Sequence, residues 1–441
     1  MKNYIIIKNK ISPFRSVMNI DGDKSLSIRW ALLASQANGK SKSINLLNSE
    51  DVLSTLNCLK KLGVKVKNNK NYCIIHGVGI NGFKYKENIT LDAGNSGTLG
   101  RLILGLLVHS KKKIRLIGDK SLSKRDFLRV INPLKRIGAS FKSKNGKLPI
   151  TIQGTQTPRT INYVENRGSA QCKSSIMLAA LNTYGDTKIK AKKSRNHTEL
   201  LFKYLKIPIQ LREKKKYDFI KIRKVNKIRP INYRIPADIS SSTFFIVLAT
   251  LVDGSKLKIK NVNINPSRTG AIKILRLMGA KIWVDNKKIY KGEKIGDINV
   301  ESCNSLKAIK CPVKYNSTSI DEFLVIFLIA AKSKGISFFK NISELNQKES
   351  PRLKWGSKIL NLMGVKTITT SDSIKIYGNP SLKINKKIII KSFLKDHRVF
   401  MTSVIAALAF GGEWIVHDKN SIRTSFPSFL KNINKLKKAS K

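Results

Sequence analysis

Leu59-Lys60-Lys61-Leu62-Gly63-Val64 is a phrase that the chain repeats. It returns as Leu134-Lys135-Arg136-Ile137-Gly138-Ala139, as Leu275-Arg276-Leu277-Met278-Gly279-Ala280 and as Leu360-Asn361-Leu362-Met363-Gly364-Val365. A degenerate copy reads Leu201-Phe202-Lys203-Tyr204-Leu205-Lys206-Ile207, and the pattern fades into residues 429–436. One L-x-x-L-G is only the end of an amphipathic helix. Recurrence at roughly 70 to 85 residues marks a structural repeat, and about six copies fill the chain.

Working outward, each unit opens on an apolar run: residues 30–34, 102–108, 176–181, 244–251, 323–331 and 404–410. A turn follows, usually with glycine (Gly39, Gly185, Gly254, Gly335, Gly412), and then a β-branched strand such as 256–259. Glycine just past a helical run reads as that helix's C-terminal cap. Helix–strand units of this kind predict an α/β (α+β) fold with helices packed on mixed sheets, in two lobes of three units each. Pro230 and Pro236, after the charged run 212–216, put the boundary within 226–238. Two lobes with a cleft suit two small substrates that must be shielded from water.

Polar loops stand at the heads of the units, where such loops can converge. Gly22-Asp23-Lys24-Ser25-Leu26-Ser27-Ile28-Arg29 precedes the first apolar run and offers backbone N–H groups, Lys24, Ser25 and Arg29 to an anion. Asp92 to Arg101 includes Gly94-Asn95-Ser96-Gly97-Thr98, small enough for close backbone approach. Leu122-Ser123-Lys124-Arg125 supplies a guanidinium for a carboxylate or phosphate, and Ser169-Ala170-Gln171-Cys172-Lys173-Ser174 opens another helix. In the second half, Ile320-Asp321-Glu322 sets an acid before the run 323–331; it is read either as an N-cap or as a general base. Lys348-Glu349-Ser350-Pro351-Arg352 and Asp396-His397-Arg398 add acid–base and cationic groups.

Composition bounds the partners. At 441 residues, 41% hydrophobic and 7% aromatic, the chain is globular. Its apolar runs are too short to span a bilayer, and the opening residues read as a strand rather than a signal peptide. No membrane partner is expected, and the location is expected to be cytoplasmic. Five cysteines without a C-x-x-C pair and five scattered histidines argue against a disulfide framework or a metal site. Lys+Arg of 85 against Asp+Glu of 27 gives +58, a charge often tied to nucleic acid. The lysines are spread along the chain among asparagines and isoleucines, as A/T-rich codons produce, and no lysine–aromatic cluster stands out. No nucleic-acid partner is therefore expected.

The ordered set G-x-K-S-x-S-x-R, G-N-x-G-T, L-x-K-R, S-A-Q-x-K-S, I-D-E, K-E-S-x-R, D-H-R and T-S-F-P resembles EPSP synthase over nearly the whole chain. S-A-Q together with Asn265-Pro266-Ser267-Arg268-Thr269-Gly270 is closest to the branch called class II. The resemblance implies two lobes, each of three β-α-β-α-β-β repeats, in an inside-out α/β barrel-like arrangement. Residues 22–235 would form the shikimate 3-phosphate lobe; 1–21 with 236–441 would form the lobe closing over phosphoenolpyruvate. It implies shikimate 3-phosphate contacts at Lys24, Ser25, Arg29, Ser169, Ala170, Gln171, Asp321 and Lys348. Phosphoenolpyruvate contacts fall on Lys24, Gly97, Arg125, Gln171, Arg352 and Arg398. Catalysis falls on Asp321, with Glu349 or Lys24 serving the methylene proton, without metal or cofactor and in a monomer.

The family pattern is broken at several positions. Asp23 replaces a serine and is expected to set a carboxylate beside Lys24, weakening anion binding. Asp126 follows Arg125 where proline is usual, Asn196 replaces an acid, Asn346 an arginine and Pro351 an aspartate. These departures leave a catalytically decayed relative as an alternative. Transfer to a UDP-sugar is a further alternative, but it needs a loop cysteine that 120–125 lacks.

Overall fold

The computed structural model describes residues 3–440, which group into two compact units. The first holds Gly22–Ile235 with Tyr290–Glu293; the second holds the chain through Asp21, Pro236–Ile289 and the chain from Lys294 onward.

The first unit contains helices α1 (Lys24–Ser35), α2 (Glu50–Lys61), α3 (Gly97–Leu107), α4 (Leu128–Ile137), α5 (Ala170–Ala180) and α6 (His197–Tyr204). Its sheets run in the orders Tyr233–Arg234, Asn38–Ile44, Tyr72–Val78, Lys65–Asn68; Ile89–Asp92, Ile114–Ile117, Lys147–Gln153, Ser140–Lys144; and Asn162–Glu165, Asp186–Lys192, Tyr217–Arg223, Ile209–Glu213. In each, the first pair is parallel and the remaining pairs are antiparallel. One pattern is thus used three times: strand, helix, parallel strand, helix, antiparallel pair. The first sheet takes its leading strand from Tyr233–Arg234, at the far end of the unit.

The second unit contains α7 (Ile239–Leu251), α8 (Gly270–Leu277), the short α9 (Asn316–Ser319), α10 (Phe323–Lys332), α11 (Arg352–Leu362), α12 (His397–Phe410) and α13 (Phe429–Ala439). Its sheets are Lys281–Tyr290, Glu293–Glu301, Lys256–Asn263, Arg15–Met18; Gly335–Phe339, Ile374–Gly378, Thr367–Thr369; and Tyr4–Ile7, Glu413–His417, Lys387–Ile390. Here the leading strand of the first sheet is Arg15–Met18, from near the N-terminus. The six sheets remain separate, and none closes into a barrel among the described residues.

The two helices of a repeat differ for a physical reason. The leading helices α1, α3, α5, α7, α10 and α12 are buried almost all round, because apolar or small residues cover most of their circumference. The following helices α2, α4, α8 and α11 alternate buried and exposed positions and carry the L-x-x-L phrase.

The recurring glycine ends those second helices. Gly63, Gly138, Gly279 and Gly364 have φ of +85°, +122°, +96° and +83°. In each case its N–H bonds the carbonyl three residues back, and the next N–H reaches five residues back, as in Val64 to Leu59 at 3.0 Å. This is the Schellman closure. The degenerate copy keeps it with Lys206 at φ 58° and Ile207 bonded to Phe202 at 3.0 Å. The expectation that Gly39, Gly185, Gly254, Gly335 and Gly412 cap the first helices is corrected. They lie beyond the cap residues Gln36, Leu181, Val252, Ser333 and Gly411, where the chain turns into the next strand. Among the described residues no helix is long and apolar enough to cross a membrane.

Candidate active site

In the first unit, Asp23 is the N-cap of α1, and its fully buried carboxylate accepts the Leu26 N–H at 2.8 Å. The carboxylate thus serves the helix terminus, as the replaced hydroxyl could. Lys24 pairs with Asp51, in the first turn of α2, with Oδ2 2.9 Å from Nζ. Ser25 is nearly buried, and its carbonyl accepts from Arg29 at 3.1 Å. Arg29 also donates to Thr198 Oγ1 at 2.9 Å and Ser174 Oγ at 3.3 Å, which ties α1 to α5 and α6.

The start of α3 forms the clearest anion cradle. Ser96 caps the helix by accepting the Leu99 N–H, and Gly97 is its first residue. A Cβ at Gly97 would lie 3.1 Å from an Arg125 guanidinium nitrogen and 3.2 Å from one of Arg101. Two guanidiniums therefore stand over a helix N-terminus, where the dipole and the charges favour the same ligand sign. Arg125 is held by Asn95 Oδ1 at 3.1 Å and Ser121 Oγ at 3.4 Å. Arg101 lies over the Phe127 ring at 5.0 Å and donates to Gln171 Oε1 at 2.6 Å; Gln171 Nε2 donates to Thr98 Oγ1 at 3.1 Å. Close packing of α3 on α5 makes this possible: a Cβ on Gly105 would run into the Ser175 carbonyl. Ser169 caps α5 and Ala170 begins it. Lys24, Gly97, Ser169, Ala170 and Gln171 thus stand at helix starts, and Arg125, at the end of the turn 122–124, brings its guanidinium to one of them.

The second unit gathers an acid cluster on Arg352. This first residue of α11 is 2% exposed, with Nε 2.9 Å from Asp396 Oδ2 and NH2 3.2 Å from Oδ1. It also contacts Glu349, and Asp321 Oδ1 at 3.4 Å. Burial works against the guanidinium's charge, but Asp396 and Glu349 outweigh it and raise its pKa. For Asp396, burial pushes the carboxyl up, and Arg352 more than reverses that, leaving it below the usual range. Asp396 caps α12 by accepting the Arg398 N–H at 2.9 Å. Asp321 is not the cap of α10: Glu322 holds that position, and the Asp321 carboxylate lies 3.3 Å from Lys348 Nζ. Arg398 comes within 4.0 Å of Glu322, which Ser240 also contacts; Ser240 accepts from Arg268 at 2.7 Å. Arg268 and Asn265 of the class II phrase are buried behind this group.

Sequence reasoning missed Asp51 as the partner of Lys24 and Asp396 as the partner of Arg352. Both lie in first turns or caps of helices, the one signal that marked them. Cys172, in α5, is pushed up to about 12 by burial and by Glu165, unlike a nucleophilic thiol.

A family model for EPSP synthase (3-phosphoshikimate 1-carboxyvinyltransferase) matches residues 8–433. The 3-phosphoshikimate 1-carboxyvinyltransferase of Vesicomyosocius okutanii is 40% identical, covering 97% of each chain. That of Legionella pneumophila strain Corby is 37% identical, again over 97% of each. The solved EPSP synthase of Acinetobacter baumannii superposes with a TM-score of 0.86 at 33% identity, covering 98% of this chain and 97% of that one. The enolpyruvyl transferase NikO of Streptomyces tendae shares the fold, with a TM-score of 0.76 at 13% identity over 99% and 98%. The repeats, the helix-head cations and the full-length match together make this chain a member of the EPSP synthase (3-phosphoshikimate 1-carboxyvinyltransferase) family.

Proposed function

We infer that the chain transfers the enolpyruvyl group of phosphoenolpyruvate to the 5-hydroxyl of shikimate 3-phosphate, in the shikimate pathway to aromatic amino acids. The observation that carries the reading is the pair of guanidiniums, Arg101 and Arg125, over the start of α3 at Gly97. Such a cradle suits phosphoenolpyruvate, which presents a phosphate and a carboxylate. We assign that substrate to Lys24, Gly97, Arg125, Gln171, Arg352 and Arg398, adding Arg101. Shikimate 3-phosphate is assigned to Lys24, Ser25, Arg29, Ser169, Ala170, Gln171, Asp321 and Lys348. The enzyme works as a monomer in the cytoplasm.

The chemistry follows in two steps. The 5-oxygen attacks C2, its proton passes to the Asp321 carboxylate, and the double-bond electrons take a proton at C3 from Glu349 or Lys24. The tetrahedral intermediate then loses a C3 proton while the C2–O bond to phosphate breaks, giving the enol ether and phosphate. Fixed cations stabilise the charges of both substrates throughout. Asp23 caps a helix, which gives that substitution a structural use. Purified protein mixed with both substrates should release phosphate in step with product; no release at high enzyme would reject the assignment.

A further inference from the structure

Residues 212–224 set lysines and arginines around Tyr217 and Phe219, a cluster that the expectation of no nucleic-acid partner passed over; strand register joins it to a lysine row in the third sheet of the first unit. Helices α5 and α6 pack against one face of that sheet. On the opposite face, alternation presents Lys188, Lys190 and Lys192 from one strand and Tyr217 and Phe219 from its neighbour. Phe219 sits directly across from Lys190 on one side and Arg212 on the other. Lys190 Nζ is 5.0 Å from the Tyr217 ring centre and Lys214 Nζ is 5.5 Å from that of Phe219. A concavity of about 420 Å³ is lined by Phe219, Lys188, Lys190, Arg212, Lys221 and Val164; Tyr217 and Lys192 lie outside that lining.

The charge of this face is unbalanced. Asp218 and Glu213 alternate to the other side, and Asp186 already binds Lys221 at 2.7 Å and Arg223 at 2.6 Å. The exposed sheet face bearing Val17 and Trp283 in the second unit is different. There Lys256 is paired with Glu301 at 2.7 Å, and Lys258 lies 3.5 Å from Asp297. Of these two faces, only the first combines a recessed ring, Phe219, with cations in excess. The lysine row repeats every ~6.7 Å along its strand and suits a linear polyanion. Half-buried rings among cations, Phe219 in the concavity and Tyr217 beside it, can stack flat bases, whereas a lipid surface calls for protruding apolar groups.

We propose that this sheet face binds single-stranded nucleic acid, with Phe219 and Tyr217 stacking bases and Lys188, Lys190, Lys192 and Arg212 holding phosphates. None of these side chains belongs to the enolpyruvyl transfer machinery, so the site stands or falls apart from that reading.

The test is fluorescence anisotropy of the full chain with a short labelled oligouridylate, from about 50 to 200 mM salt. Binding should weaken with salt, and Phe219→Ala/Tyr217→Ala should weaken it at least about fivefold. Lys190→Glu/Arg212→Glu should weaken it and flatten its salt dependence, while Lys256→Glu/Lys258→Glu on the other face should leave it unchanged. Circular dichroism and phosphate release report that each variant is folded. Aromatic variants that bind as wild type would reduce the face to a general polycation and overturn the proposal. So would equal weakening by the two lysine pairs, or binding to anionic phosphatidylserine vesicles without binding to oligouridylate. Should the aromatic variant fail to fold, unchanged affinity in Lys190→Glu/Arg212→Glu overturns it alone.

Discussion

Arg352 shows how a single side chain can be committed by its neighbours. A buried guanidinium between Asp396, Glu349 and Asp321 is satisfied structurally before any substrate arrives. Asp396→Asn removes the bidentate partner of a 2% exposed cation and should cost about 3 kcal/mol, read from urea unfolding at neutral pH. The pH dependence has a definite sign. The folded Asp396 carboxyl sits below its ordinary 3.8, so its contribution is complete above that value and disappears as pH falls through the folded pKa. The asparagine variant should therefore lose less stability than wild type as pH falls below 3.8. Asp321, by contrast, is 16% exposed and pairs with Lys348, as a group able to reach substrate should. Asp321→Ala is expected to bind shikimate 3-phosphate in calorimetry yet turn over at least about 100-fold slower; near-normal turnover would remove it as the base. Lys24, Gly97 and Gln171 could be singled out because each stands at a helix head and local pattern marks such heads, whereas Arg125 ends the short turn 122–124 and only its side chain comes to the start of α3. Asp51, Ser174 and Thr198 could not, because their partners come from other helices and no local periodicity encodes which helices meet.

Among elements, the L-x-x-L-G phrase makes the conformational cost of a left-handed residue measurable at matched sites. Gly364 closes α11 at φ +83°, and a Cβ there would meet nothing within 4 Å. Gly364→Ala should thus destabilise by about 1 kcal/mol through backbone conformation alone. Lys206 occupies the same position at φ 58° after α6 and already carries that cost. Lys206→Gly should move stability the opposite way by up to about 1 kcal/mol, and two denaturation curves decide both signs. If both variants destabilise, the motif is held by something other than backbone preference. The phrase announced each second helix because its apolar spacing and glycine are local. The glycines after the first helices misled because positive φ serves a strand entry as well as a cap. Sheet order was hidden altogether: the leading strand Tyr233–Arg234 is two residues long and pairs with Asn38–Ile44, far away in sequence.

Across the whole molecule, charge is the property that most sets this chain apart. At +58, 85 basic against 27 acidic residues leave most surface lysines without an acid of their own. Several of the ion pairs among the described residues are partly exposed, such as Lys387–Glu413 at 3.2 Å and Lys193–Asp218 at 3.4 Å. Exposed pairs of that kind contribute little, so repulsion among the remaining cations is the larger long-range effect. Composition made this excess visible at once, but whether it is spread or concentrated depends on register and pairing, which only the folded chain supplies. Such repulsion is screened over about 10 Å at 0.1 M salt and over about 30 Å at 0.01 M. Raising potassium chloride from about 0.01 to 0.3 M should therefore raise the melting temperature by several degrees. Chloride at this level barely changes apolar burial, so the gain reports screening, and it should shrink in a variant with several exposed lysines changed to glutamine. A melting temperature flat or falling across that range would mean that favourable ion pairs, not repulsion, dominate the surface of this enzyme.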